Sequence, residues 1–466
     1  MIAVLAIVAV ACGAPPTAAP PVIQTVVVPV VQTGAPVVQT VVAAQTVVVQ
    51  QTTAPQVVTA TAAPKPTGEP DTTAVTVAAT WGGGERDAFQ KVLDAFTAKT
   101  KIPVIYESIR TNMGGILRTR VAAGSPPDVV MSPRPGEVLD FARAGNLIPL
   151  EKLVPKAEVE KAFNKGYLDL ATLDGVPYGF VFKANSKSTF WYRPASLKAL
   201  GATEPKTLDE LFVIADKYKA AGKTPFATGA KDGWVLTDYL ENLLIRNMGP
   251  EAYNDLFVTH KVKWTDPAVK KSLTEFAKFF APDYQVGGTQ GALGTGFADS
   301  IGLVFGPSPK AEMFYEGGFV GVIATTDTNK NLKPGEDINF FEFPASDPAF
   351  GGVVGGGDVA IAFRDTPEVQ AFMQFLVSKE AADVFATTNT ISPNKQIDAT
   401  KFPSVLARNE YQQIADAKVF VFDGSDLAPS ALGGDFLFTQ LQKLVENPAD
   451  VDKIAEELEK FAATAY

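Results

Sequence analysis

Two residue types that build catalytic and covalent sites are almost missing. The 466-residue chain has one cysteine, Cys12, and one histidine, His260. A lone cysteine leaves no internal disulfide and no Cys-x-x-Cys metal site. Catalytic zinc is normally held by several histidine or cysteine ligands, so no metal is expected. A Ser-His-Asp triad would have to use His260, which stands in Thr259-His-Lys-Val262 and reads as a surface histidine. There is no G-x-S-x-G, no G-x-G-x-x-G and no P-loop. Asp327-x-Asn329-x-Asn331 begins like a calcium loop, but its sixth position is Leu332 and its twelfth Ile338, so it reads as a polar turn. The net charge of −10 is spread without long runs, and no basic patch invites nucleic acid. Paired carboxylates for glycoside hydrolysis are not excluded, yet no particular pair stands out.

What is present begins at the N-terminus. Residues 2–11 are apolar and end in small side chains. That run is shorter than the roughly 20 residues a membrane-spanning helix needs, and it suits an export signal. Ala9-Val10-Ala11-Cys12 resembles a bacterial lipobox, with Cys12 as the lipidated residue. Residues 1–12 are therefore expected to be signal segment and lipobox. Residues 13–73 carry only Lys65, Glu69 and Asp71 as charges and repeat short Val/Gln/Thr units between prolines. This tract is expected to be a disordered tether, with an end-to-end distance of about 45 Å as a flexible coil. The plan is that of a protein lipid-anchored at the extracytoplasmic face of a bacterial membrane.

About 390 residues remain, more than one core commonly supports, so two lobes are expected. Helical and strand patterns alternate, which predicts an α/β body. Val75–Thr80, Val104–Tyr106 and Asp128–Met131 read as strands. Phe89, Val92, Leu93 and Phe96 line one helix face, and a helix carrying Ile116, Leu117 and Val121 is expected between the second and third strands. Thr207-Leu-Asp-Glu210 is a capping box opening a helix with Leu211, Phe212, Ala215 and Tyr218 inward. Asp266-Pro267 opens one that buries Val269, Leu273, Phe276 and Phe280.

Several segments join a charged or amide side chain to glycine or an aromatic, and they are expected at strand ends. They are Trp81-Gly-Gly-Gly-Glu85-Arg86, Ser108-Ile-Arg110, Met131-Ser-Pro-Arg134, Asn185-Ser-Lys187, Asp232-Gly-Trp234, Tyr315-Glu-Gly317 and Gly355-Gly-Gly-Asp358. In α/β sheets ligands sit beyond the carboxyl ends of strands. Sugars suit such turns, because their C–H faces stack on aromatics and their hydroxyls need converging polar groups.

The body resembles the extracellular solute-binding proteins of carbohydrate ABC importers, family 1, nearest the branch that binds α-glucosides. The matching stretches, in family order, are LRTRVAAGSPPDVVMSPRPGEVLDFARAGNLIPL (117–150), VPYGFVFKANSKSTFWY (176–192), NMGPEAYNDLF (247–257), KWTDPAVKKSL (263–273), AEMFYEGGFV (311–320), GGGDVAIAFRDTPEVQAFMQFLVSKEAADVFA (355–386) and ISPNK (391–395). The resemblance implies a two-lobe, periplasmic-binding-protein-like α/β fold with a hinge and an interlobe ligand cleft. One lobe would comprise 74–184 plus 336–386, the other 188–332 plus 390–466, with the first crossing near Lys183–Ser188. It implies ligand contacts from Trp81, Glu85, Arg86, Arg110, Ser132, Arg134, Asn185, Lys187, Trp234, Glu316, Gly357 and Asp358. It also implies a monomeric binding protein with no catalysis and no cofactor, which hands a sugar to ABC permease subunits. A phosphorylated polyol such as glycerol phosphate is the main rival ligand, because Arg86, Arg110 and Arg134 fall in candidate turns; a polyamine is another, and a secreted glycoside hydrolase the alternative of another class.

Overall fold

Val75-Thr-Val-Ala-Ala79 carries no charge, as a strand covered on both faces requires. In the computed structural model, which describes residues 74–346 and 350–466, it is the first strand of a six-stranded sheet. The expected signal segment, tether and lipidation site at Cys12 lie outside the described residues. In chain order the strands are β1 (Val75–Ala79), β2 (Val104–Ser108), β3 (Val129–Ser132), β4 (Thr172–Leu173), β5 (Val176–Pro177) and β6 (Gly179–Ser186). They continue with β7 (Thr189–Tyr192), β8 (Thr224–Phe226), β9 (Ala311–Tyr315), β10 (Asn339–Glu342), β11 (Val353–Ala362) and β12 (Phe420–Phe422).

The first sheet has the order β12-β11-β3-β1-β2, with β6 along the other side of β11. β1 runs parallel to β2 and β3, while β11 runs antiparallel to β3 and β6 and parallel to β12. Strand alternation splits the first core in two. Val75, Val77 and Ala79 pack with Phe89, Val92 and Phe96 of helix α1 (Gly83–Thr100) and with Phe372 and Phe375. Ala78 and Val130 pack on the opposite face with Met113 and Leu117 of α2 (Met113–Ala122) and Val138 of α3 (Pro135–Arg143).

The second sheet has the order β10-β7-β9-β8. Its Phe190, Met313 and Tyr315 share a core with Leu211, Tyr239, Phe276, Leu441 and Leu458 from the surrounding helices. The capping box forms as expected: Glu210 N donates to Thr207 Oγ1 at 3.2 Å, and Thr207 N to Glu210 Oε2 at 3.2 Å. Asp266 caps the helix Pro267–Phe279 by accepting from Ala268 N at 2.8 Å. Among the described residues no helix is long and apolar enough to cross a membrane.

Several expectations are corrected. His260 is not a free surface group, since its ring stacks on Tyr466 and Nε2 lies 3.1 Å from Glu459. The strand β10, expected with the first lobe, hydrogen-bonds to β7 in the second sheet, where Phe341 stacks on Phe190 at 5.3 Å. Conversely β12, expected with the second lobe, pairs with β11 in the first sheet. The chain leaves the first sheet at Ser186 and enters the second at Thr189.

Candidate ligand-binding site

Every residue of β6 is buried, so a lysine in Gly-Phe-Val-Phe-Lys-Ala-Asn-Ser needs a partner. Strand alternation sets Lys183 and Asn185 on one face, and the registered neighbours on β11 are Asp358 and Gly356. Lys183 Nζ lies 2.5 Å from Glu85 Oε1 on α1 and 3.9 Å from Asp358 Oδ2. The same ammonium stands 5.2 Å from the Trp81 ring and 5.9 Å from the ring of Phe319, just beyond β9. One cation thus joins groups from both sheets. Burial pushes the Asp358 carboxyl up to about 6 even though Lys183 favours its charge.

A second charged centre lies where the chain crosses. Lys187 Nζ is 3.1 Å from Asp238 on the helix Trp234–Phe257, is bonded to Asp423 after β12, and is 3.9 Å from Asp426. Its ammonium also stands 5.8 Å from the Trp234 ring. Burial alone would favour the neutral lysine, but the surrounding carboxylates carry it well above its ordinary range. Burial raises Asp238, Glu241, Glu316 and Asp426; it works against Asp423 too, but there the charge and hydrogen bond of Lys187 win and hold it low. Asp238, Glu241 and Asp423 bring carboxylate oxygens within 4.8 Å of one another, a set that could take a cation. Lys187 supplies that charge, and Gly424 N and Ser425 N donate to Glu241 at 2.9 Å each.

Aromatic rings border these charges. Trp234 is half-buried at the start of its helix, 4.8 Å from Phe297 and 6.1 Å from Phe319. Asn185 Oδ1 and Glu316 Oε1 are buried without a hydrogen-bond partner among the described residues. Apolar ring faces, paired charges and open buried acceptors can hold a polyhydroxylated molecule: rings cover C–H faces, and polar groups take up hydroxyls.

The other sequence candidates divide. Ser132 is buried and its Oγ accepts from Arg134 N at 3.3 Å. Arg134 is committed to the second centre, with Nη2 donating to Ser425 O at 3.3 Å and Nε 3.7 Å from Asp426. Arg86 and Arg110 are exposed, the latter lying along Gly82. Trp81, only 2% exposed, meets Phe89 edge-on at 4.9 Å and belongs to the first core. The run Gly355–Asp358 is not a strand end but the middle of β11. Its glycines allow close packing: a Cβ on Gly356 would come within 2.9 Å of Lys187 Cε, and one on Gly357 within 2.5 Å of Lys183 O. Sequence reasoning missed Lys183, Phe319, Asp238 and Asp423. A lone lysine in an otherwise neutral strand was the available signal for the first; the partners of the others come from distant segments.

Residues 82–383 match the family model of the bacterial extracellular solute-binding proteins. The chain is 33% identical over 377 residues to the osmoprotective compounds-binding protein GgtB of Synechocystis sp., covering 79% of this chain and 88% of that protein. It is 30% identical over 396 residues to the alpha-glucosides-binding periplasmic protein AglE of Rhizobium meliloti, covering 82% and 85%. Among solved structures it superposes on the bacterial solute receptor AcbH with a TM-score of 0.74 at 21% identity, over 84% of this chain and 98% of AcbH. A chitin oligosaccharide binding protein gives 0.73 at 21% identity, over 85% and 99%. The fold is therefore the two-lobe α/β fold of periplasmic binding proteins, and these relatives are receptors rather than enzymes.

Proposed function

The chain belongs to the bacterial extracellular solute-binding protein family, is not an enzyme, and from that premise we propose that it captures a sugar between its two lobes and delivers it to an ABC permease. The preferred ligand is a neutral α-glucoside or short oligosaccharide. The observation that carries this reading is that Phe319, from the second sheet's side and beside Trp234, stands 5.9 Å from Lys183, which Glu85 and Asp358 flank on the first side. Both lysines there are already paired with carboxylates, and Arg134 is paired with Asp426, so none of these three cations is left for a phosphate. The similarity to AglE agrees with an α-glucoside. The similarity to GgtB favours a second reading, a small osmoprotective solute.

The lobes contribute no chemistry in this reading. A ligand that touches both binds the closed form better and shifts the population toward it. The segment Ser186–Thr189 is the proposed hinge crossing. Asn242 Nδ2 and Tyr315 OH both donate to Lys187 O there, at 2.8 and 2.7 Å, fixing the crossing against two elements of the second side.

A thermal-shift panel of glucose, maltose, trehalose, sucrose, glycerol 3-phosphate and spermidine tests the ligand class. A ligand at a hundred times its dissociation constant adds about 2.7 kcal/mol of apparent stability. Stabilisation by at least one saccharide supports the proposal; stabilisation by glycerol 3-phosphate or spermidine alone overturns it. Cys12 is the proposed lipid anchor at the outer face of the membrane. Cys12→Ser should move the protein from the membrane fraction to the medium, and an unchanged membrane fraction would remove the anchor from the scheme.

A further inference from the structure

Helix α1 has 18 residues and no capping side chain of its own: its N-cap is Gly82, and its first residues are Gly83 and Gly84. Such an end leaves amide donors without partners and carries partial positive charge. The amide of Gly84 is nevertheless satisfied. It donates to Asp327, at 3.0 Å from each carboxylate oxygen. Asp327 comes from the other side of the molecule, on the turn Ala324–Thr328 that follows β9 and the helix Phe319–Ile323. The adjacent Thr326 steadies it, with Oγ1 2.8 Å from Asp327 Oδ1.

The glycines are what permit the approach. A Cβ on Gly84 would lie 2.2 Å from Thr326 Oγ1 and 3.0 Å from Asp327 Oδ1. Within α1 itself Gly84 is helical, and alanine there would favour the helix. Local preference and the cross-lobe contact therefore ask for different residues, and the chain carries the one the contact needs. The next residue, Glu85, holds Lys183 of the ligand site.

We infer that Asp327 is a positioning residue for closure: it caps α1 across the cleft and so holds the lobes together around the ligand. This rests on the reading that ligand is enclosed between the lobes. The cap joins Gly84 to Asp327, 243 positions further along the chain and on the second side, and in this inference it is lost when the lobes separate.

The test uses the full chain with Cys12→Ser and spin labels on Lys91→Cys of α1 and Lys330→Cys beyond the turn. Distance distributions are recorded without sugar and with maltose, trehalose or sucrose, for this background and for Asp327→Ala, Asp327→Asn and Gly84→Ala. Removing a helix cap typically changes such an equilibrium by about fivefold. Asp327→Ala is expected to deplete the short-distance population by about that factor. Asp327→Asn, which keeps an acceptor, is expected to retain most of it. Gly84→Ala is expected to deplete it while leaving the unliganded unfolding midpoint equal or higher, which a merely structural role would not produce. Equal distributions in all four proteins overturn the inference. If sugar shortens the distance equally in all four, the latch is wrong and the binding reading stands. If the short-distance population depends on Asp327 but responds to none of the three sugars, the latch stands and the sugar reading falls.

Discussion

The ammonium of Lys187 lies 3.1 Å from the carboxylate of Asp238, and so ties the lobe crossing to the buried helix that begins at Trp234. The pair is buried, and Asp423 and Asp426 share the same lysine. Removing one partner from a buried ion pair leaves charge without compensation.

Lys187→Met should therefore cost about 3–5 kcal/mol in urea unfolding at pH 7. The remaining carboxyls would then take up protons more readily, so part of the loss should return at pH 5. A variant as stable as the parent at pH 7 would show that the cluster is already neutralised by bound protons.

Glu410 sets a second pH dependence. It accepts the amide of Ser186 at 3.0 Å, and burial pushes its carboxyl up to about 7, with Lys183 and the Ser186 amide acting the other way. A folded pKa above the unfolded value of about 4.3 means the native state holds the proton longer. Its contribution is complete below about pH 4 and is lost as pH rises through about 7. Glu410→Gln keeps an acceptor for Ser186 and cannot ionise. Its unfolding free energy should fall less steeply than the parent's between about pH 5 and 7, by about one proton. Parallel slopes for the two proteins would place the Glu410 proton elsewhere.

Trp81 and Trp234 should behave oppositely. Trp81 is nearly inaccessible and packed in the first core, so Trp81→Ala should destabilise the unliganded protein by about 3–5 kcal/mol. Trp234 is half-buried beside Phe319, so Trp234→Ala should weaken every accepted sugar by a similar amount, about 2–3 kcal/mol, with a smaller effect on unfolding. Titration calorimetry and thermal unfolding read the two effects separately. An early-unfolding Trp234→Ala protein with parental affinity would make that tryptophan part of the core.

Glu85→Gln should change the ranking among sugars more than the general affinity. It frees Lys183 from its 2.5 Å partner, and a charged donor beside a missing hydroxyl discriminates by its desolvation. A uniform loss across the sugar panel would mean that Glu85 only supports Lys183.

Elements whose causes are local could be read from the chain alone. The capping box at Thr207 and Glu210, the Asp266-Pro267 helix start and the inward face of Phe89, Val92 and Phe96 depend on neighbours within a few residues, and all three formed. Motif order carried the family, because many short stretches in one sequence order are unlikely to recur by chance. Tertiary structure decided which sheet received β10 and β12, since strand pairing depends on long-range partners such as Phe341 with Phe190 and Val421 with Val354. It also decided that Gly355–Gly357 serve close packing inside β11. The site's charge balance was decided there too: Lys187 reads as a single cation in sequence, and only folding brings Asp238 and Asp423, 51 and 236 positions away, to its ammonium.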